Sequence, residues 1–101
     1  MSFPLATVHF DTSVNFGVTG SIRMIQNLIG VNPDGKFGPV TLRAVQSLDS
    51  LELAIAYCDA RIRRRHGIVQ RNPSQKVFLK GWLNRDNTLK NYIIKIVKVN
   101  I

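Results

Sequence analysis

The stretch Asp34-Gly35-Lys36-Phe37-Gly38-Pro39-Val40-Thr41, set between two short amphipathic runs, constrains this chain more than any other. Asp-Gly makes a tight turn because glycine reaches positive φ without a Cβ clash. Gly38 then frees the chain to reverse, and Pro39 suits the first turn of a new helix, where its missing N–H costs nothing. Thr41 can turn its hydroxyl back to the loop or to that helix start. A helix–loop–helix with a fixed loop follows.

Around it the pattern is helical throughout. Pro4 opens a first helix with Leu5, Val8 and Thr12 or Phe16 along one face, and Gly17 ends it as a left-handed cap. Thr19 is the expected N-cap of a second, in which Ile22, Ile25, Leu28 and Ile29 share a face and Gly30 closes the last turn. A third runs from about Pro39 to Leu48 and buries Val40, Ala44 and Val45 or Leu48. Asp49 or Ser50 caps a longer fourth, with Leu51, Ala54, Ile55, Cys58 and Ile62 inside. A fifth starts near Pro73-Ser74 and carries Val77, Phe78, Trp82 and Leu83. Short connections imply an all-α bundle of about five helices in one domain, residues 1–101. The β-branched tail from Tyr92 to Ile101 favours an extended form, which as a free strand edge would support a homodimer.

A D-G-x-x-G-P-x-T loop after an L-I-G-V run resembles the peptidoglycan-binding helical modules of bacterial and phage wall hydrolases. Further boxes extend the resemblance. Asp11, Val14-Asn15 and Gly17 read as D-x-x-V-N-x-G, and Ile25 to Val31 stands where L-Q-x-x-L-G-V is expected. Tyr57 and Arg61 form Y-x-x-x-R, and Phe78 to Arg85 forms F-x-x-G-W-x-x-R. In that order they resemble the C-terminal half of the glycoside hydrolase family 108 lysozymes, over roughly residues 5–86, with 87–101 diverging. The resemblance implies a wall-binding role and slightly favours a groove position for Asn15 over a helix cap.

Those lysozymes carry their acid in an E-G-G-Y-type motif ahead of everything matched here, and this sequence has none. Glycoside hydrolysis normally needs two carboxylates flanking the bond, one with a raised pKa. The six acidic residues are Asp11, Asp34, Asp49, Glu52, Asp59 and Asp86, and each reads as a turn, cap, helix-start or ion-pair residue. The expectation is no catalytic residue. His9 and His66 lack a neighbouring ligand at metal spacing, so no metal and no cofactor is expected. Cys58 reads as a small buried hydrophobe.

Charge points to an anionic partner. The net charge is +8, and eight of the 14 Lys and Arg lie between positions 61 and 85, a segment free of Asp and Glu. Such a patch attracts the carboxylates of peptidoglycan stem peptides and lactyl groups, or the phosphates of other wall polymers. The candidate ligand residues are Asn15, Tyr57, Arg61, Arg64, Arg65, Trp82 and Arg85. Each has a plainer alternative: solvated surface for Arg64 and Arg65, core packing for Trp82, and a structural brace for Tyr57 with Arg61. Asp34, Gly35, Gly38, Pro39 and Thr41 shape the loop.

Three functions follow. The first is a non-catalytic wall-binding module of phage or prophage origin that assists a separate lysozyme chain. The second is a lysozyme remnant, or the product of an internal start, that completes a substrate cleft with a catalytic chain. Nucleic-acid binding is the third. It is disfavoured because the connection between Leu28 and Thr41 exceeds the turn of a helix-turn-helix. No apolar run approaches the ~20 residues of a membrane span. No secretory signal opens the sequence, which implies synthesis in the host cytoplasm and action at the wall after lysis or export.

Overall fold

A computed structural model describes residues 2–99, of which Val99 only in its backbone. Five α-helices account for most of them: α1 (Leu5–Phe16), α2 (Val18–Ile29), α3 (Pro39–Gln46), α4 (Ser50–Arg71) and α5 (Lys76–Val99). A single 3₁₀ turn, Pro73–Gln75, joins the last two. No strand occurs among the described residues, so the fold is the expected all-α bundle. Its shortest dimension is 19 Å, about two helix diameters. α4 is the central member and packs against α1, α2 and α5.

Local chemistry sets the helix ends. Asp49 caps α4, its Oδ1 accepting from Glu52 N at 2.8 Å. Pro39 occupies the first turn of α3, and Gly30 closes α2 in the left-handed conformation. Gly17 breaks α1 from α2 in one residue, at φ 83° and ψ 159°; the ψ is extended, so this is a chain reversal and not the left-handed cap expected. That reversal starts α2 at Val18 and places Thr19 inside its first turn, where no side-chain cap is made. The α1 start draws on a distant partner instead, with Leu5 N donating to Ser50 Oγ at 3.3 Å.

The core is Leu5 and Val8 of α1, Ile25 of α2, Val45 of α3, Leu53, Ala54, Tyr57 and Cys58 of α4, and Ile93 of α5. Each fully buried large aliphatic side chain here contributes about 1.5–3 kcal/mol. Burial pushes the Cys58 thiol up to about 11, which leaves it an inert packing group. α3 ends two residues early and is shallower than its pattern suggests: Val45 is buried, but Val40 and Leu48 face solvent. Val77 and Phe78 on α5 are likewise exposed.

The tail corrects the extended reading. Residues through Val99 continue α5, because Ile93 buries completely while Leu89 and Ile94 pack against the core. Burial of an i, i+4 apolar stripe against α4 outweighs the local β preference of isoleucine and valine. Lys90 Nζ adds a 2.8 Å bond to Asp59 Oδ1 across the same seam. The strand edge invoked for a dimer is therefore absent among the described residues; the tail's last two positions, 100 and 101, lie outside them.

One polar joint ties three helices. Tyr57 Oη donates to Ser21 O of α2 at 2.8 Å, so its lone pairs must accept from His9 Nδ1 of α1, also at 2.8 Å. Burial lowers the His9 pKa below its ordinary 6.5. A depressed histidine pKa means the unfolded chain takes the proton more readily, so this stability is complete above about pH 6.5 and is lost as pH falls below it. The melting temperature of the wild type should therefore fall more steeply from about pH 7 to pH 5 than that of His9→Gln, whose amide can still reach Tyr57. Equal slopes would mean that the site does not penalise the imidazolium.

Candidate functional site

The basic segment of α4 splits by helical period. Arg61 and Arg65 fall on the face already occupied by Leu53, Ala54, Tyr57 and Cys58, and both are buried, at 0% and 4% exposure. They close on Asp86 of α5, itself fully buried: Arg61 Nη2 reaches Oδ1 at 2.7 Å, and Arg65 Nε reaches Oδ2 at 3.1 Å. Arg61 Nη1 also bonds Asp11 Oδ2 of α1 at 2.8 Å, and Arg85 of α5 takes the other Asp11 oxygen at 2.9 Å. Burial works to raise the Asp11 carboxyl, but hydrogen bonds from Arg85 and Arg61 outweigh it and hold the group below its ordinary range. Asn15 bonds Asp11 O through Nδ2 at 2.7 Å and accepts from Arg65 at 3.4 Å.

These contacts place four of the candidate ligand residues in interhelical contacts. Tyr57, Arg61 and Arg65 are buried and bridge helices, and Asn15 ties α1 to α4. Arg65 is buried with Tyr57 and Arg61 and does not lie on the solvated surface. Arg64, Trp82 and Arg85 remain accessible.

A second network fixes the 31–38 loop. Gln26 of α2 is buried, and its Nε2 faces Asp34 Oδ1, Lys36 O and Thr41 Oγ1 at 2.9–3.0 Å. Its Oε1 accepts from Gly35 N at 3.0 Å, and Lys36 N donates to Asp34 Oδ1 at 2.8 Å. The Lys36 amide and the Gln26 side chain hold the Asp34 carboxyl below its usual range. Gly35 is required twice over. Its φ is 78°, and an added Cβ would lie 2.8 Å from Thr19 Cγ2 and 3.2 Å from Arg23 Nε. Gly38 by contrast is extended at φ −100°, so its reversal role is not seen. The loop braces α2 and backs the Arg23 side chain.

Arg23 stands at one wall of a groove of about 450 Å³ between α2 and α4. Arg63 and Arg64 line it from α4, with Asn27 beside them and Met24, Leu28 and Ala60 as an apolar floor. All three arginines are exposed, and none forms an ion pair among the described residues. Gly20 also lines the groove; a Cβ there would meet nothing within 4 Å, so packing does not demand the glycine.

Next to the groove the aromatics and guanidinium groups alternate. Arg64 lies 5.7 Å and Arg65 4.4 Å from the Phe16 ring, and Arg65 is also 5.2 Å from the Trp82 ring. Trp82 in turn stacks against Phe78 at 5.8 Å between centroids. Trp82 is thus a half-buried member of an exposed aromatic cluster, not a core residue.

Residues 20–87 match the family model described as "Predicted Peptidoglycan domain". The chain belongs to that family. The match contains the groove, the loop and the α4–α5 hairpin, while Asp11, Asn15 and the end of α5 lie outside it. No curated protein and no solved structure matches. For this peptidoglycan domain, peptidoglycan is the indicated partner. No helix among the described residues is long and apolar enough to cross a membrane.

Sequence reasoning missed Gln26, Arg23, Arg63 and Asp86 as site-building residues. The spacing of Tyr57, Cys58, Arg61 and Arg65 along the apolar face of α4 was the available signal for burial. In the peptidoglycan domain, removing Asp86 leaves the buried Arg65 guanidinium without a counter-charge and Arg61 with Asp11 alone. Asp86→Ala should cost about 3–5 kcal/mol, against about 1 kcal/mol for Asp59→Ala at the half-buried pair with Lys90. Urea titration measures both, and similar losses would show that the buried cluster is not the stronger constraint.

Proposed function

We propose that this domain is a non-catalytic wall-binding module that holds peptidoglycan carboxylates in the α2–α4 groove. The observation that carries the reading is the convergence of Arg23, Arg63 and Arg64, without an ion-pair partner among the described residues, on a groove with an apolar floor. Guanidinium groups recognise carboxylates by paired N–H donors, and the methylene and methyl surface below suits peptide side chains. Stem-peptide and lactyl carboxylates are the anions of peptidoglycan that match. Phosphates of other wall polymers would be attracted by the same groups, with steeper loss in salt.

The carboxylates of this chain support the non-catalytic part. Asp11 and Asp86 are held by arginines, Asp59 by Lys90, Asp34 by the loop, and Asp49 caps α4 with Glu52 in its first turn. Asp11 and Asp34 are pushed to lower pKa, opposite to what a glycosidic proton donor requires. The resemblance to family 108 lysozymes supports a phage or prophage setting, with synthesis in the host cytoplasm and action at the wall after release.

A second reading, a structural half that completes a substrate cleft with a separate catalytic chain, draws on Phe10 and Val14. These lie one turn apart on α1 and are 72% and 65% exposed.

Cosedimentation with purified sacculi, with released sugar assayed in the same mixture, separates these readings. Retention without sugar release is expected, with affinity weakened about tenfold or more by Arg63→Glu combined with Arg64→Glu. Both positions are exposed, so the fold is retained. Unchanged retention in that variant would sink the groove, and no retention of the wild type would favour the structural half. Release of sugar, abolished by one carboxylate substitution, would overturn the non-catalytic reading.

A further inference from the structure

Two of the three groove arginines are seated by different parts of the fold. Arg23, on the α2 wall, runs along the 31–38 loop, so close to Gly35 that a Cβ there would lie 3.2 Å from its Nε and 3.5 Å from its Cγ. Arg64, on the α4 wall, has its guanidinium carbon 5.7 Å from the centre of the Phe16 ring at the end of α1. Arg63 lies beside it on the same wall. Positive charge therefore stands on both walls of the groove, with Met24, Leu28 and Ala60 as an apolar floor and Asn27 as a neutral polar group. No carboxylate among the described residues lines it.

On the reading that the groove holds peptidoglycan carboxylates, on which this inference rests, we propose that it takes a stem peptide with two free carboxylates. Arg23 holds one from α2, and Arg63 with Arg64 holds the other from α4. The number and placing of the cations select a diacid. One carboxylate has two oxygens and about four acceptor sites, enough for two guanidinium forks, and would leave a third cation without a counter-charge. The floor offers no side-chain donor, so the segment between the anions must present methylene and methyl groups to it. A γ-linked glutamate leaves its α-carboxylate free and contributes methylenes, the chain end supplies the second carboxylate, and the Asn27 amide can meet the peptide units between them. A phosphate polymer supplies the charge without that aliphatic link. Seating Arg23 on the loop and Arg64 on Phe16 reduces the side-chain ordering left for binding. An amidated carboxylate would turn an N–H donor toward a guanidinium, so the groove distinguishes free-acid from amidated stem peptides.

The probe is an N-acetylated tetrapeptide of alanine, γ-linked D-glutamate, Nε-acetyllysine and D-alanine, whose only charges are its two carboxylates. Two further peptides each carry a carboxamide in place of one carboxylate. Calorimetric titration is made at about 0.15 M salt, where longer-range attraction is screened. Saturable binding of the diacid is expected, weakened about tenfold or more by either amidation. Arg23→Gln should remove the penalty of one amidation and keep that of the other, and Arg63→Gln with Arg64→Gln should do the reverse. A mere loss of ligand charge would weaken binding alike whichever arginine remained. All three positions are exposed, so the variants should keep the wild-type melting temperature.

Binding that survives either amidation unchanged would overturn the diacid and leave a groove for a single anion. Penalties that no arginine variant removes would place the carboxylates elsewhere and also overturn it. If the tetrapeptide fails to bind while sacculi are retained by the wild type and lost by Arg63→Glu with Arg64→Glu, the diacid falls and the groove stands for another wall anion. Failure of both the tetrapeptide and the sacculi to bind would sink the diacid together with the reading on which it rests.

Discussion

Burying Asp86 between Arg61 and Arg65 is the constraint on which the arrangement of this domain depends. Taking an ion out of water costs several kcal/mol even after relaxation, and only close, well-formed partners offset it. The carboxylate therefore permits one register of α5 along α4. It leaves Arg61 directed at Asp11, so α1 is located by the same cluster. An apolar cluster of equal volume could hold the helices as tightly, but it would tolerate sliding by a turn. The ionic one does not, because any shift leaves a buried charge unpaired. Arg65 passes this rigidity on to Phe16 and Trp82, against whose rings it lies. The neutral network of Gln26 does comparable work at the other end, seating the loop so that Gly35 backs Arg23.

Much of the fold was legible because it rests on local chemistry. Asp49 as a cap, Pro39 in a first turn and Gly30 at a helix end each follow from the backbone demands of their own positions. Thr19 fails as a cap because Gly17 reverses the chain within one residue, a tertiary decision that hydroxyl chemistry does not announce. The tail fails for a related reason. Isoleucine and valine prefer extended backbone only where nothing is gained by folding them, and here α4 offers Ile93 and Leu89 an apolar seam.

The site was less legible because charge in a sequence carries no direction. Eight basic residues between 61 and 85 looked like one continuous face, yet the helical period turns Arg61 and Arg65 inward and leaves Arg63 and Arg64 outward. Their acidic partners come from α1 and α5, far away in sequence, so no window of the chain reveals the pairing. Arg23 was invisible for the opposite reason. It lies on another helix, and only the packing of α2 on α4 brings it to the groove. Loop residues were easier: Asp34, Gly35 and Thr41 are found where turn chemistry puts them, although their shared partner Gln26 lies on the preceding helix.

That redistribution changes what the net charge of +8 means for recognition. Arg61 and Arg65 face Asp86 in the interior and Arg85 shares Asp11 at the surface, so the positive excess is carried by other residues, Arg23, Arg63 and Arg64 among them. At physiological ionic strength it is screened within about 8 Å. Long-range attraction can bring an anionic wall polymer near, but holding it falls to groups in contact with it. In the binding mode proposed above, that set is the guanidinium groups of Arg23, Arg63 and Arg64 between α2 and α4. Peptidoglycan presents carboxylated peptides on a neutral glycan backbone. The proposed groove would meet the carboxylated peptides, and the buried ion cluster serves it by setting α4 against α1 and α5, which fixes the helix that carries Arg63 and Arg64.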